Sequence, residues 1–291
     1  MDTSSFLKKI DSLQSHTDEN IFVIAHRGGY KNDWELKTPE NSLKNVEKAI
    51  DLNYDMIEMD VCRSIDGHFV LMHDSKLDKR TSGSGHTYEK TWTEMSTFKL
   101  NYSNGVESEL FMTSFVEVLK LIKDRMLIKL HRKFPIEFLP DFFQLIDDYN
   151  VKDHILFWED WEPGEKEHIE REALFASNPN FRTFNYLMTV KNVIDLAPIF
   201  DSCHIVAIEL PFLDIKDEVI SKDNIQEIKN RGVRLSANVQ NKPDRVAGLN
   251  DGISLENPAQ GWGKILDFGF SMIQTDYPEL LRKYIISRNT L

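Results

Sequence analysis

The sequence predicts an α/β fold closed into a single-domain (β/α)8 barrel, and three observations predict it. Short apolar runs alternate strictly with longer amphipathic stretches, the pattern of parallel strands joined by crossover helices. A chain of 291 residues, 41% of them hydrophobic, can bury one large core, and about 250 residues is the usual size of such a barrel. The residues able to do chemistry, among them His26, Glu58, Asp60, Lys129, Glu209, Asn238 and Asp276, fall at the C-terminal ends of the apolar runs. That is where a barrel of this kind carries its site.

The elements follow in order. Phe6, Leu7, Ile10 and Leu13 lie at helical spacing, which suits a short helix capping the bottom of the barrel. Residues 21–25 form the first strand and deliver His26 and Arg27 at its end, where Gly28 and Gly29 let the backbone turn sharply. After a polar loop over 30–39, Asn41 and Ser42 open a helix that runs to Leu52 with Leu43, Val46, Ala49 and Ile50 on one face. The second strand, 56–61, carries Glu58 and Asp60 two residues apart, so both carboxylates point to one face. Such a pair repels unless a cation sits between its members. A short run over 69–72 ends in His73 and Asp74. Residues 75–113 match neither repeat and are expected as a small insertion after the second strand; long irregular segments in compact domains are usually functional.

Thr113 then caps a helix over 114–123, and 126–130 is the third strand. Further strands are expected at 155–158, 182–187, 205–210, 233–238 and 271–274. The helices between and after them are expected at 136–149, 164–177, 191–200, 217–231, 257–268 and 278–286.

The net charge of -12 argues against a nucleic-acid partner or a polybasic membrane anchor, since both would repel this surface. Residues 1–20 lack an apolar signal core and no run is long enough to span a bilayer, so a cytoplasmic location is expected. Cys62 and Cys203 are too few for a disulfide framework and read as buried free thiols.

An ordered set of motifs frames nearly the whole chain: His26-Arg27-Gly28, Pro39-Glu40-Asn41-Ser42, Glu58-Met59-Asp60-Val61, Asp66-Gly67, His73-Asp74, and the stretch from Leu77 to Gly85. Near the end, Ile273-Gln274-Thr275-Asp276-Tyr277-Pro278 continues it. This set resembles the glycerophosphodiester phosphodiesterase family, whose fold is a TIM barrel with an insertion over its mouth. The resemblance implies hydrolysis of a small-molecule glycerophosphodiester to glycerol 3-phosphate and an alcohol. In that family the substrate's own 2-hydroxyl can attack first, giving a cyclic phosphate that water opens. By the same resemblance His26 and His73 share the proton transfers, work that suits imidazoles because they titrate near neutral pH. Arg27 would bind the phosphoryl oxygens through its planar fork. Glu58 and Asp60 would hold Mg2+ or Ca2+, hard cations that prefer oxygen.

The third strand departs from the family pattern. Lys129 stands where the family places a carboxylate ligand, and His131 where it places a phosphate-binding lysine. Lys129 is then expected to direct its ammonium at Glu58 and Asp60. Three outcomes stay open: Lys129 bridges the pair and leaves a metal-independent or inactive site, Glu209 or a water completes a weaker metal site, or the strand shifts and brings His131 to the metal. Lys129 and His131 join Arg27 as phosphate-binding candidates. Glu40, Glu209, Asn238 and Trp262 are expected in the pocket, and Trp158, Trp161 and Trp262 lie where an aromatic wall would hold a cationic head group. Two rival readings remain: a phospholipase D-like phosphodiesterase acting on (lyso)phospholipids, and a catalytically impaired homologue that binds phosphate esters. The alcohol, the ion and the oligomeric state are left open by the sequence.

Overall fold

The computed structural model describes residues 3–15, 20–29, 38–191, 197–242 and 245–289. Eight parallel strands close into a barrel: Phe22–Ala25, Met56–Arg63, Leu127–Arg132, Ile155–Asp160, Asn185–Thr189, Ile205–Glu209, Arg234–Asn238 and Met272–Thr275. Closure is made by the first strand, which pairs with the eighth (Phe22 opposite Met272) and with the second (Ile24 opposite Met56).

Alternate residues of a barrel strand face its axis, and here their character changes from floor to mouth. Phe22, Ile24, Met56, Leu127, Leu156, Leu187, Ala207 and Met272 make an apolar floor, onto which the helix Thr3–Gln14 docks Phe6, Ile10 and Leu13. Leu7, expected beside them, is 51% exposed, because the helix turns it away. Arg234 is buried in this floor and donates to the carbonyl of Leu13 (3.3 Å), one of the oxygens the helix end leaves without an intrahelical partner, and to that of Asn20 beyond it (2.9 Å). One inward step on, the residues become polar: Glu58 stands opposite Lys129, and Asp60 opposite His131. Between the strands' outer faces and the helices lies the largest apolar cluster, including Ile57, Ile128, Phe142, Phe157 and Ile273.

Several boundaries differ from those expected. Phe69–Leu71 is a strand, but it runs antiparallel against the end of the second one, Val61 opposite Leu71. Residues 75–113 contain regular structure: a helix Trp92–Met95 and an antiparallel pair, Lys99–Asn101 with Glu107–Phe111, over a cluster of Cys62, Val70, Met72, Leu77, Met95, Leu100 and Met112. Ser114, not Thr113, caps the helix Phe115–Ile122 by accepting from Val116 N; the Thr113 hydroxyl accepts from Leu43 N instead. The fifth strand begins at Asn185 because Pro179–Thr183 coils into a 3-10 turn. The helix expected over 257–268 is two, Asp251–Glu256 and Trp262–Asp267. Asn257 precedes Pro258 and sits extended (φ -147°), as the proline ring requires. Of the helix expected over 191–200, Ala197–Ser202 is seen; residues 192–196 and most of the loop over 30–39 lie outside the described residues.

Cys62 and Cys203 are unpaired, and burial pushes both thiols up to about 12, which makes them inert. No described helix is long and apolar enough to cross a membrane.

Candidate active site

The first strand ends in a 3-10 turn, His26–Gly28, in which Arg27, Gly28 and Gly29 take left-handed φ angles of 49°, 81° and 85°. Arg27 is the strained member, since a side chain disfavours that region. Gly28 has a second reason to lack a side chain: a Cβ there would come within 2.6 Å of Asn45 Cβ. The turn is held from outside. Arg27 N donates to Glu58 Oε2 (3.0 Å), and its guanidinium donates to Glu40 Oε1 (2.7 Å) and lies 3.6 Å from Asp60 Oδ2. Asn41 and Asp60 exchange two hydrogen bonds of 3.0 Å, side chain to side chain and backbone to side chain. Glu40, expected to line the pocket, therefore holds Arg27, and the Pro39-Glu40-Asn41-Ser42 motif is a clamp on the acidic pair.

Each imidazole is aimed by a carboxylate. His26 Nδ1 lies 2.6 Å from Asp276 Oδ1, and His26 Nε2 is 3.9 Å from Glu58 Oε2. His73 Nδ1 lies 2.5 Å from Asp74 Oδ1, while Arg80, from the inserted segment, donates to Asp74 Oδ2 and sits 3.3 Å from Glu40. Both rings feel the charges of Asp60 and Arg27, and burial lowers both below the ordinary histidine value. The two acids diverge. Burial, then the charge of Asp60, raises Glu58. Burial also acts to raise Asp60, but His131, His73 and Lys133 outweigh it and hold that carboxyl well below the usual range.

The third strand corrects the expectations most. Lys129 is fully buried and donates to Glu209 Oε2 at 2.7 Å, not to Glu58 or Asp60, and its ammonium stacks 3.9 Å from the Trp158 ring centroid. Its ammonium is thus engaged inside the barrel and not, as expected of it, directed at the acidic pair. His131 takes the acidic pair instead, with Nδ1 3.2 Å from Asp60 Oδ1, and Lys133 Nζ lies 3.7 Å from the same oxygen. Glu209 is closed off from the pocket by its partners Lys129 and Arg245. The protein's own Lys129 takes the place of a ligand cation on one face of Trp158, whose ring also lines the cavity beside His131. Trp262 is 1% exposed, and its indole N–H donates to buried Asp251 (3.0 Å); it belongs to the core, not to the pocket. Asn238 is buried, its side chain accepting from Gln240 N.

The comparison with known proteins falls on this geometry. A model of the glycerophosphoryl diester phosphodiesterase family matches residues 26–251, the stretch that carries nearly every group just described. The chain belongs to this family. A glycerophosphodiester phosphodiesterase of Caldanaerobacter subterraneus subsp. tengcongensis is 31% identical over 46% of this chain and 56% of its own length. One of Bacillus subtilis is 24% identical over 91% of this chain and 86% of its own. The chain thus spans little more than half the length of the first of these relatives. Among solved structures, a glycerophosphoryl diester phosphodiesterase of Parabacteroides distasonis shares the fold at TM-score 0.75 and 22% identity, over 97% of this chain and 92% of that one. A phosphodiesterase of Oleispira antarctica, solved with the product sn-glycerol-3-phosphate, does so at 0.64 and 20%, over 94% and 100%.

Against this family's pattern the acidic pair and His131 still form a possible metal cluster: one ligand atom from each of Glu58, Asp60 and His131 lies within 4.8 Å of the others. Two buried carboxylates with an imidazole are a donor set that fits a divalent cation. Asp74, Arg80, Lys133 and Asp251 were not singled out as site residues from the sequence, and Asp276 was named at its strand end without a role. Asp74, Arg80 and Asp276 had a signal, since all three sit in quoted motifs. Lys133 continues the inward row of Lys129 and His131, but the expected strand stopped at 130. Asp251 had none.

Proposed function

We propose that this protein hydrolyses glycerophosphodiesters to glycerol 3-phosphate and an alcohol, with His26 and His73 moving the protons. One observation carries the reading: two imidazoles beside one acidic pair, each pinned at Nδ1 by its own carboxylate, Asp276 or Asp74. A carboxylate at Nδ1 fixes the tautomer and turns Nε2 into the atom that exchanges protons with substrate. One ring takes the proton of the attacking hydroxyl as its oxygen bonds to phosphorus. The other protonates the alkoxide as its bond to phosphorus breaks.

The substrate anion enters a protein of net charge -12, so its phosphoryl oxygens need local cations. Arg27 and Lys133 supply them, Lys133 in the role that the sequence suggested for Lys129. Glu58, Asp60 and His131 would hold Mg2+ or Ca2+, which when bound adds positive charge at the phosphoryl oxygens. Support for a small polar alcohol comes from a cavity of about 690 Å3 running from His131 and Lys133 past Trp158. Its wall is mostly polar and charged, with Arg132, Glu159, Asp160 and Arg171, and only Phe134, Pro135, Trp158 and Pro211 offer an acyl chain apolar surface to bury. That disfavours the (lyso)phospholipid reading.

The test is turnover of glycerophosphodiesters bearing choline, ethanolamine or glycerol by the purified protein, with Mg2+, with Ca2+ and with chelator. Added cation is expected to raise the rate and chelator to lower it. His26→Ala and His73→Ala are each expected to lower kcat by about 100-fold or more. A wild type silent under every condition would overturn the proposal in favour of a protein that binds phosphate esters without cleaving them.

A further inference from the structure

Asp276 can aim His26 only if its own place at the end of the eighth strand is held, and the residue holding it is remote in sequence. Asp251 is fully buried at the start of the short helix Asp251–Glu256. Its Oδ2 accepts from Asp276 N at 2.9 Å, and its Oδ1 accepts from Thr275 Oγ1 at 2.6 Å and from Trp262 Nε1 at 3.0 Å. The Thr275 hydroxyl oxygen in turn accepts from Tyr277 N at 3.0 Å. One carboxylate therefore ties down the segment from Thr275 to Tyr277, from whose middle the Asp276 side chain reaches His26 Nδ1.

Among the described residues the groups that act on Asp251 are Thr275, Asp276 and Trp262, none of them basic, although burying a carboxylate without a cation is costly. An apolar residue would pack there at no such cost, but it could not receive three donors converging from a helix, a strand end and a turn. Burial pushes this carboxyl up to about 7, against its three hydrogen bonds, which act to lower it.

We propose that Asp251 is a positioning residue for the reaction: it fixes the backbone of Asp276 and, through it, the orientation of the His26 ring. The inference rests on the reading of His26 as a proton carrier. The test pairs a kinetic measurement with one that needs no turnover. In Asp251→Asn the amide can face only part of the three-donor set, so one donor meets another N–H. The variant is expected to keep KM within about twofold while kcat falls about 10- to 100-fold, the scale of a misplacement near one ångström. Asp276→Asn is expected to fall further, and the double variant no further than Asp276→Asn alone, because the two act in series. In protein with labelled histidine, the Nδ1–H proton of His26, assigned by its loss in His26→Ala, is expected far downfield in wild type and shifted upfield or broadened in Asp251→Asn. Should Asp251→Asn not fold, Thr275→Val, which removes one donor, serves with the same readouts.

A folded Asp251→Asn with wild-type kcat, an unmoved His26 signal, or multiplicative losses in the double variant would overturn the proposal. A wild type without turnover would sink the assigned activity, while the His26 signal would still decide the positioning.

Discussion

His154 illustrates how one buried ring ties stability to pH. It packs 4.9 Å from Phe6, its Nε2 accepts from Asp124 N at 2.8 Å, and burial lowers its affinity for a proton. The unfolded chain protonates it near pH 6.5, whereas the folded ring resists. Its contribution is therefore complete above about pH 6.5 and is lost as the pH falls below that value. Urea denaturation should find wild type more stable than His154→Gln at pH 7.5, with the gap narrowing toward pH 5.5; a constant gap would show that the ring's protonation is not the cause. At this scale the sequence was most legible where partners lie in one motif. His73 and Asp74 are neighbours, and Glu40 and Asn41 clamp groups only 13 and 19 residues away. Trp262 and Asp251 misled or escaped it, because whether an indole lines a pocket or a carboxylate meets donors depends on segments far along the chain.

The third strand carries the argument at the scale of an element. Its inward row of Lys129, then His131, with Lys133 just past the end, places three basic groups along one line; the deepest meets Glu209, and the other two share Asp60. Lys129 meets Glu209 across the barrel, below the level of Asp60, because the sixth strand brings an acid to that layer. Removing Glu209 strands a buried ammonium, so Glu209→Leu is expected to cost about 3–5 kcal/mol in chemical denaturation. Lys129→Met together with Glu209→Leu should recover most of that loss, since an apolar pair of similar volume replaces the ions. Recovery would fail if Lys129 were needed by Glu58 or Asp60. The sequence named Lys129 and His131 through the family resemblance, but neither Lys133 nor the depth at which each group would find its acid.

Closure of eight strands organises the whole molecule, and the helix Thr3–Gln14 plugs the end opposite the site. Phe6 is fully buried in the floor cluster with Leu127, Leu156 and Leu187, so Phe6→Ala should destabilise the protein by about 3–5 kcal/mol. With no contact to the mouth, it should leave KM unchanged at temperatures where the variant stays folded; an altered KM would show that the floor and the site are coupled.

By itself the sequence determined the barrel and its end of action, because alternation of apolar runs and amphipathic helices is a local signal repeated many times, and strand ends are its natural landmarks. It also named the histidines, the arginine and the acidic pair, which sit in contiguous motifs. Only the tertiary structure decided which charge meets which. Lys129 turned to Glu209, Lys133 took the open place beside Asp60, and Asp251 came under Asp276, since an ion pair is chosen by depth and direction inside the barrel and not by separation along the chain.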